Sequence, residues 1–292
     1  MQHQQTDETQ HPFEKIRTRW LATDSMAGVG IDPDINKIPD EIWQAVGGKS
    51  NIADGFTLFG KTIIDATAQD AVDFKVNSSF FKGSQGREAL YNIFNYLKQK
   101  YPKVLRVCDG KFADIDNTAE KIAEEIFGDL DADAVLLNPY LGFDAIKPFI
   151  QWKNKIVIMC VRTSNPSAAQ VQDMLAYDGR PIWQHILDKS LHGWNPNNNI
   201  IPVLSATSLH GLSDIREQIN DVPILLAGVG AQGGSLDKSV PHLLDSNGYG
   251  LMISSSRGII YADRGENESI GQAAHRELLK LKDAINQAKR SK

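Results

Sequence analysis

KVLRVCDGKFADIDNTAEKIAEEIF, residues 103–127, changes character halfway along. Its first part, KVLRVCD (103–109), is a short apolar run that reads as a strand entering the protein interior. Its last part, NTAEKIAEEIF (117–127), reads as an amphipathic helix. Between them Asp109, Lys111, Asp114 and Asp116 fall within eight positions. Charges at the inner end of a buried strand are costly unless something uses them. The unit is therefore strand, charged turn, helix.

The same alternation continues in both directions. The other strand candidates are AGVGID (27–32), AVDFKVN (71–77), ADAVLLN (132–138), KIVIMCV (155–161), NIIPVLSA (199–206), VPILLAG (222–228) and YGLMISSS (249–256). Helical patterns such as GREALYNIFNYLKQK and LSDIREQIN lie between them, and ESIGQAAHRELLKLKDAINQAKR ends the sequence. Strands apolar at nearly every residue, alternating with amphipathic helices, indicate a parallel sheet covered on both faces. Eight such units in about 260 residues predict a single closed (β/α)8 TIM barrel rather than an open sheet. FEKIRTRWLATDS adds an extra N-terminal helix, and the connection 162–198 after the fifth strand is long enough to carry a helix of its own, IWQHILDKSLHGW. Residues 1–11 read as a disordered tail and 12–292 as the barrel domain.

Composition narrows the function. The 292 residues are 41% hydrophobic and 23% charged, with a formal net charge of -5 and no basic run flanked by aromatics, so no nucleic-acid partner is expected. The two cysteines, Cys108 and Cys160, lack metal-ligand spacing, and the seven histidines form no HxH or HxxxH pair. No apolar run approaches the roughly 18 residues of a membrane span, and the polar N-terminus does not read as a signal peptide. The expected setting is the reducing cytoplasm.

In such barrels the active site forms at the C-terminal ends of the strands. The polar residues there are Asp32 after strand one, Asp73 and Lys75 on strand two, and Asp109, Lys111 and Asp114 around strand three. RTSNPS follows strand five, GVGAQGG strand seven, and strand eight ends in SSSRG. Strand alternation lets Asp109 and Lys111 point the same way, and Asp73 and Lys75 repeat that spacing one strand earlier. One such pair is commonly structural; two neighbouring pairs at the catalytic rim indicate function. Carboxylates on both sides of Lys111 favour its ammonium form, which suits an acid or a fixed positive charge. A lysine that forms a Schiff base needs the opposite environment. Asp116 or Asn117 is expected simply to cap the following helix, with Glu120 completing a capping box.

GVGAQGG contains GxGxxG (Gly228, Gly230, Gly233), but a dinucleotide fingerprint belongs to the first strand–helix turn. After strand seven, a glycine-rich turn paired with Arg257 after strand eight suits the phosphate site of these barrels. Ser164 and Asn165 place neutral donors and acceptors where an amide-like edge, such as a nucleobase, could be read. The same residues also suit a plain turn.

Taken together, DGKFADIDNT resembles the DxKxxDIxxT signature of orotidine 5'-phosphate decarboxylases. The resemblance extends to Asp32 in GIDPD, Lys75 in DFKVN, Ser164 in RTSNPS, to GVGAQGG and to Arg257 in SSSRGIIYA, in the family's order from about residue 27 to 262. Length, RTSNPS and the serine before Arg257 look like the longer bacterial subfamily often called type 2. The resemblance implies conversion of orotidine 5'-monophosphate to UMP and CO2 in pyrimidine biosynthesis, without metal or organic cofactor, by a cytoplasmic homodimer. It implies a charged tetrad of Lys75, Asp109, Lys111 and Asp114, with Asp114 and Thr118 reaching into the partner's site. Asp32 and Lys75 would hold the ribose hydroxyls and Ser164 the pyrimidine edge. Gln232 would bridge base and phosphate, and Arg257, helped by the Gly233 turn, would hold the phosphate. A magnesium-dependent phosphosugar enzyme of the same superfamily is the nearest rival. Those relatives carry a glutamate metal ligand where this sequence has Lys75, and an ammonium there repels Mg²⁺. A catalytically dead phosphoribosyl-ligand binder is the other, and would gain nothing from such costly charges.

Overall fold

Why the eight apolar runs become strands is visible in their burial. Every residue of Ala27–Ile31 (β1), Ala134–Leu137 (β4), Ile156–Cys160 (β5) and Ile200–Ser205 (β6) is buried. A strand buried on both faces has no polar side to alternate, as parallel sheets require. The computed structural model describes residues 11–207, 212–229 and 234–291. With Asp73–Asn77 (β2), Leu105–Phe112 (β3), Ile224–Ala227 (β7) and Leu251–Ser255 (β8), the strands close in sequence order, β8 pairing back onto β1. All eight pairings are parallel. The fold is the (β/α)8 barrel that the alternation predicts.

The extra helix Glu14–Thr23 closes the end of the barrel opposite the site. Lys15 pairs with Asp133 just before β4 at 2.7 Å, and Arg19 donates to the carbonyls of Ala68 and Ala71 before β2. Trp20 is buried and stacks on Tyr249, which precedes β8. The final helix, Ile270–Arg290, starts with a complete capping box of Ser269 and Gln272 and returns to pack on the helix Ile52–Thr67. The connection after β5 contains the short helices Ala169–Gln172 and Ile182–Asp188, the second running into a π turn, Lys189–Gly193. Most of the N-terminal tail lies outside the described residues. His11, at its end, packs edge-on against Phe13.

Two local expectations are corrected. The helix Asp116–Ala123 has Ile115 at its N-cap and no side-chain cap, so neither Asp116 nor Asn117 caps it and no capping box forms with Glu120. Asp116 instead takes a positive φ of 48°, a conformation its short polar side chain tolerates. Asp73 is not at the catalytic rim. It opens β2, two residues below Lys75, and is completely buried inside the barrel.

Candidate active site

β3 does not run straight into its turn. Its register against β4 shifts between Cys108 and Phe112, and Lys111 sits in this bulge with a φ of +47°. Such a backbone costs a non-glycine residue roughly 1–3 kcal/mol and persists where the surroundings enforce it. Gly110 makes the bend possible, because a methyl group there would collide with the Phe112 ring. The result aims the Lys111 ammonium back at the strand it came from.

There it meets Asp109, its Nζ lying 2.9 Å from Oδ1 and 3.1 Å from Oδ2. Lys75, on β2, donates to Asp109 Oδ2 from the other side at 3.1 Å. One buried carboxylate thus bridges two ammonium groups. Burial alone would raise the Asp109 pKa, but Lys75 and Lys111 outweigh it and hold the carboxyl below its usual range. Burial likewise opposes the charge of Lys75, and Asp109 and Asp32 overcome it, so Lys75 lies above the ordinary lysine value. Lys75 is nearly enclosed while half of the Lys111 side chain stays exposed. Of the two lysines, Lys111 is the one whose side chain stays open to solvent.

These groups line one wall of a cavity of about 570 Å³ at the C-terminal ends of the strands. Its opposite wall is apolar: Leu136, Cys160, Val203 and Leu225. Burial pushes the Cys160 thiol up to about 11, so it stays neutral there. The rim is polar, with Thr163, Ser164 and Asn165 on one side and Ser256 and Arg257 on the other. Ser164 packs against the backbone of Gly228, whose φ of +85° and lack of a side chain leave it room. Asp32, just after β1, lines the same cavity and has a buried Oδ1 with no hydrogen-bond partner among the described residues. The Tyr261 hydroxyl steadies that loop, accepting from the Asp34 amide at 2.6 Å and donating to the Asp32 carbonyl at 3.2 Å.

The structure therefore brings together Asp32, Lys75, Asp109, Lys111, Ser164 and Arg257, drawn from five strand ends. Asp114 and Thr118 do not line this chain's cavity. Asp114 accepts from the adjacent Ile115 amide at 2.9 Å, and Thr118 is exposed on the first helical turn. Gln232 and Gly233 lie outside the described residues. Asn77, Cys160, Ser254 and Ser256 also face the cavity without having been singled out. Asn77 was legible, being two residues beyond Lys75 on the same strand face. Among the described residues no three His, Cys, Asp or Glu side chains gather as a metal-holding group.

Beneath Lys75, Asp73 accepts from Ser254 Oγ at 2.8 Å while its Oδ1 has no partner among the described residues. Gly28 makes space for it, since a methyl at that position would overlap the carboxylate. Burial pushes its pKa up to about 6, against the opposing pull of Ser254 and Lys75. The unfolded chain ionises this group near pH 4. Its contribution to stability is thus fully present below about pH 4 and lost as pH rises through about 6. Asp73→Asn, neutral throughout, should gain on the parent by up to about 3 kcal/mol between pH 4 and pH 8. Denaturant unfolding at both pH values checks this; an equal difference at each would show that Asp73 does not titrate in the window.

Comparison with known proteins gives a consistent picture. The family model described as orotidine 5'-phosphate decarboxylase / HUMPS family matches residues 59–270. The chain is 38% identical over 274 residues to an orotidine 5'-phosphate decarboxylase of Janthinobacterium sp. (strain Marseille), covering 94% of this chain and 97% of the relative. Its fold is similar to that of Leishmania donovani OMP decarboxylase, with a TM-score of 0.79 and 25% identity, covering 96% of this chain and 99% of that one. It also resembles Leishmania donovani UMP synthase, with a TM-score of 0.82 and 27% identity. That match covers 97% of this chain but 57% of the longer one.

Proposed function

This chain belongs to the orotidine 5'-phosphate decarboxylase / HUMPS family, and from that premise we propose that it is a carboxy-lyase of pyrimidine biosynthesis, converting orotidine 5'-monophosphate to UMP and CO2. The observation that carries the reading is the Lys75–Asp109–Lys111 bridge, set in one cavity with Arg257. In this reading Arg257 holds the phosphate, with Gln232 and Gly233 assisting. Asp32 and Lys75 hold the ribose hydroxyls, and Ser164 reads the pyrimidine edge. The buried, unpartnered Asp32 Oδ1 supports its role, because a ribose hydroxyl would supply the missing donor.

The chemistry explains the clustered charge. When the bond from C6 to the carboxylate breaks, the electron pair stays on C6 in the plane of the ring, where no adjacent carbonyl π-system can accept it. Other decarboxylases recruit a Schiff base, a metal or thiamine as the electron sink. Here the Lys111 ammonium stabilises the developing charge and then transfers a proton to C6, and water restores the proton on nitrogen. Asp109 fixes Lys111 from below and lies near the departing carboxylate. The apolar wall of Leu136, Cys160, Val203 and Leu225 keeps water from competing for the carbanion. No metal or organic cofactor enters this scheme.

We further infer a homodimer in which Asp114 and Thr118 complete the partner's site. Both lie off this chain's own cavity, on the rim after β3. Ile115 between them is exposed, as are Phe80 after β2 and Tyr140 and Leu141 after β4; Tyr140 is 81% exposed. Exposed apolar residues on successive turns at one end of a barrel are the kind of surface that protein contacts use.

The direct test follows loss of orotate-ring absorbance with orotidine 5'-monophosphate in excess EDTA, alongside UMP binding. Undiminished turnover with chelator is expected. Activity abolished by EDTA and restored by Mg²⁺ would favour the magnesium-dependent rival. Tight UMP binding with no turnover would mark a dead binder.

A further inference from the structure

The long connection after β5 is tied back to the strand end by a clamp that the proposed chemistry leaves unexplained. Arg162, the second residue past β5, still donates its amide to the Val203 carbonyl of β6 at 3.1 Å. Its guanidinium turns the other way and is largely buried. Nε and Nη2 donate to the two carboxylate oxygens of Asp173 at 2.8 and 2.9 Å, and Nη1 donates to the Thr163 carbonyl at 2.6 Å. Gln172 closes the other side. Its Oε1 accepts the Thr163 amide at 2.9 Å, and its Nε2 donates to Thr163 Oγ1 at 2.9 Å. Thr163 Oγ1 in turn donates to Asn165 Oδ1 at 2.7 Å.

Thr163 thus has its amide and hydroxyl held by Gln172, the last residue of the short helix Ala169–Gln172, and its carbonyl held by Arg162, which Asp173 just past that helix anchors. Ser164 stands between the clamped Thr163 and the tethered Asn165, and all three line the cavity. A plain surface turn needs none of this, and a lysine could not reproduce the two parallel bonds of the fork. We propose that Arg162, Asp173 and Gln172 are positioning residues that hold Thr163–Asn165 in register with the base, so that discrimination of the ring is set from the helix end and not by the strand alone. The inference rests on the reading of Ser164 as the residue that meets the pyrimidine edge. None of the three clamp residues touches the substrate in this scheme.

The experiment compares wild type with Arg162→Lys, Asp173→Asn and their double variant. It measures kcat and KM with orotidine 5'-monophosphate, affinities for UMP and for ribose 5-phosphate, and the melting temperature. Loosening the segment should lower UMP affinity and kcat/KM by about 10- to 100-fold, the scale of a misplacement near 1 Å. Ribose 5-phosphate, which lacks the base, should bind as before. The double variant should be no worse than either single one, because each breaks the same fork. Parallel losses for UMP and ribose 5-phosphate, or unchanged UMP affinity, overturn the positioning role. Should the charge variants fail to fold, Gln172→Ala leaves the ion pair intact and must show the same split between ligands, or the inference falls. Wild-type turnover in the same preparations separates the two claims: its absence removes the decarboxylase reading, whereas turnover with no split removes only the clamp.

Discussion

Replacing Lys111 with alanine is expected to lower turnover of orotidine 5'-monophosphate by about 10⁴- to 10⁷-fold while leaving UMP affinity within about tenfold. Two losses combine in that figure. A positioned general acid contributes roughly 10²–10⁴, and a preorganised charge at a developing anion about 10²–10³ more. No neighbour can substitute. Lys75 is enclosed and committed to Asp109 and Asp32, and Arg257 sits across the rim on the β8 side. UMP carries no carboxylate at C6, so its binding should depend on the phosphate, ribose and base-edge contacts instead. The ion pair survives in part as well, since Asp109 keeps Lys75 at 3.1 Å when Lys111 is gone. Single-turnover rates and UMP titrations on the same preparation provide the check. A fall of less than about 100-fold would show that the proton and the charge come from elsewhere.

How far the sequence reaches depends on which physical signal each feature leaves. Eight runs of buried β-branched and aliphatic residues are an unmistakable pattern, and all eight strands appear where the runs stand. The helix Ile52–Thr67 left a weaker trace. Gly55 and Gly60 interrupt its helical propensity, yet a methyl group at either would collide with Trp43 or Ile93 packed against it. Alternation correctly put Asp73 and Lys75 on one strand face. It carries no information about depth, and in a barrel the two-residue step separates a buried layer from the rim. Asp109 and Lys111 do meet, but through a bulge and a left-handed residue that a straight strand would not have required. The adjacent Gly110 is the only mark of that bend in the sequence.

The candidate site was most legible where charge made it conspicuous and less so where it is neutral. Asp32, Lys75, Asp109, Lys111 and Arg257 are ionisable groups at apolar strand ends, and burial of charge is the signal that found them. Cys160 and Ser254 face the same cavity but look like ordinary strand residues. The clamp of Arg162, Gln172 and Asp173 was hidden for a different reason. Its partners are ten residues apart on an irregular segment, and no periodicity predicts that they will meet.

Mixing Lys111→Ala with Asp114→Ala should restore activity that neither variant has alone. Lys111 belongs to the bulge of β3 and points into its own barrel, where Asp109 holds it. Asp114, three residues on, accepts a local amide and does not line that cavity among the described residues. The exposed Phe80, Ile115 and Tyr140, on the turns after β2, β3 and β4, offer apolar surface that a two-fold contact would bury. If Asp114 serves the partner's site, a homodimer of either variant carries one lesion in each of its two sites. A heterodimer is different: the two-fold operation places both lesions in one site and neither in the other. Random assortment makes half of the dimers mixed, so about a quarter of all sites should return to wild-type turnover. Native mass spectrometry first establishes that subunits have exchanged, and the absorbance assay then reads the mixture. Heterodimers with no recovered turnover would place Asp114 in the service of its own chain. Recovery near a quarter cannot arise that way, because within one chain both substitutions strike a single site and each protomer of the mixed dimer is left with one defect.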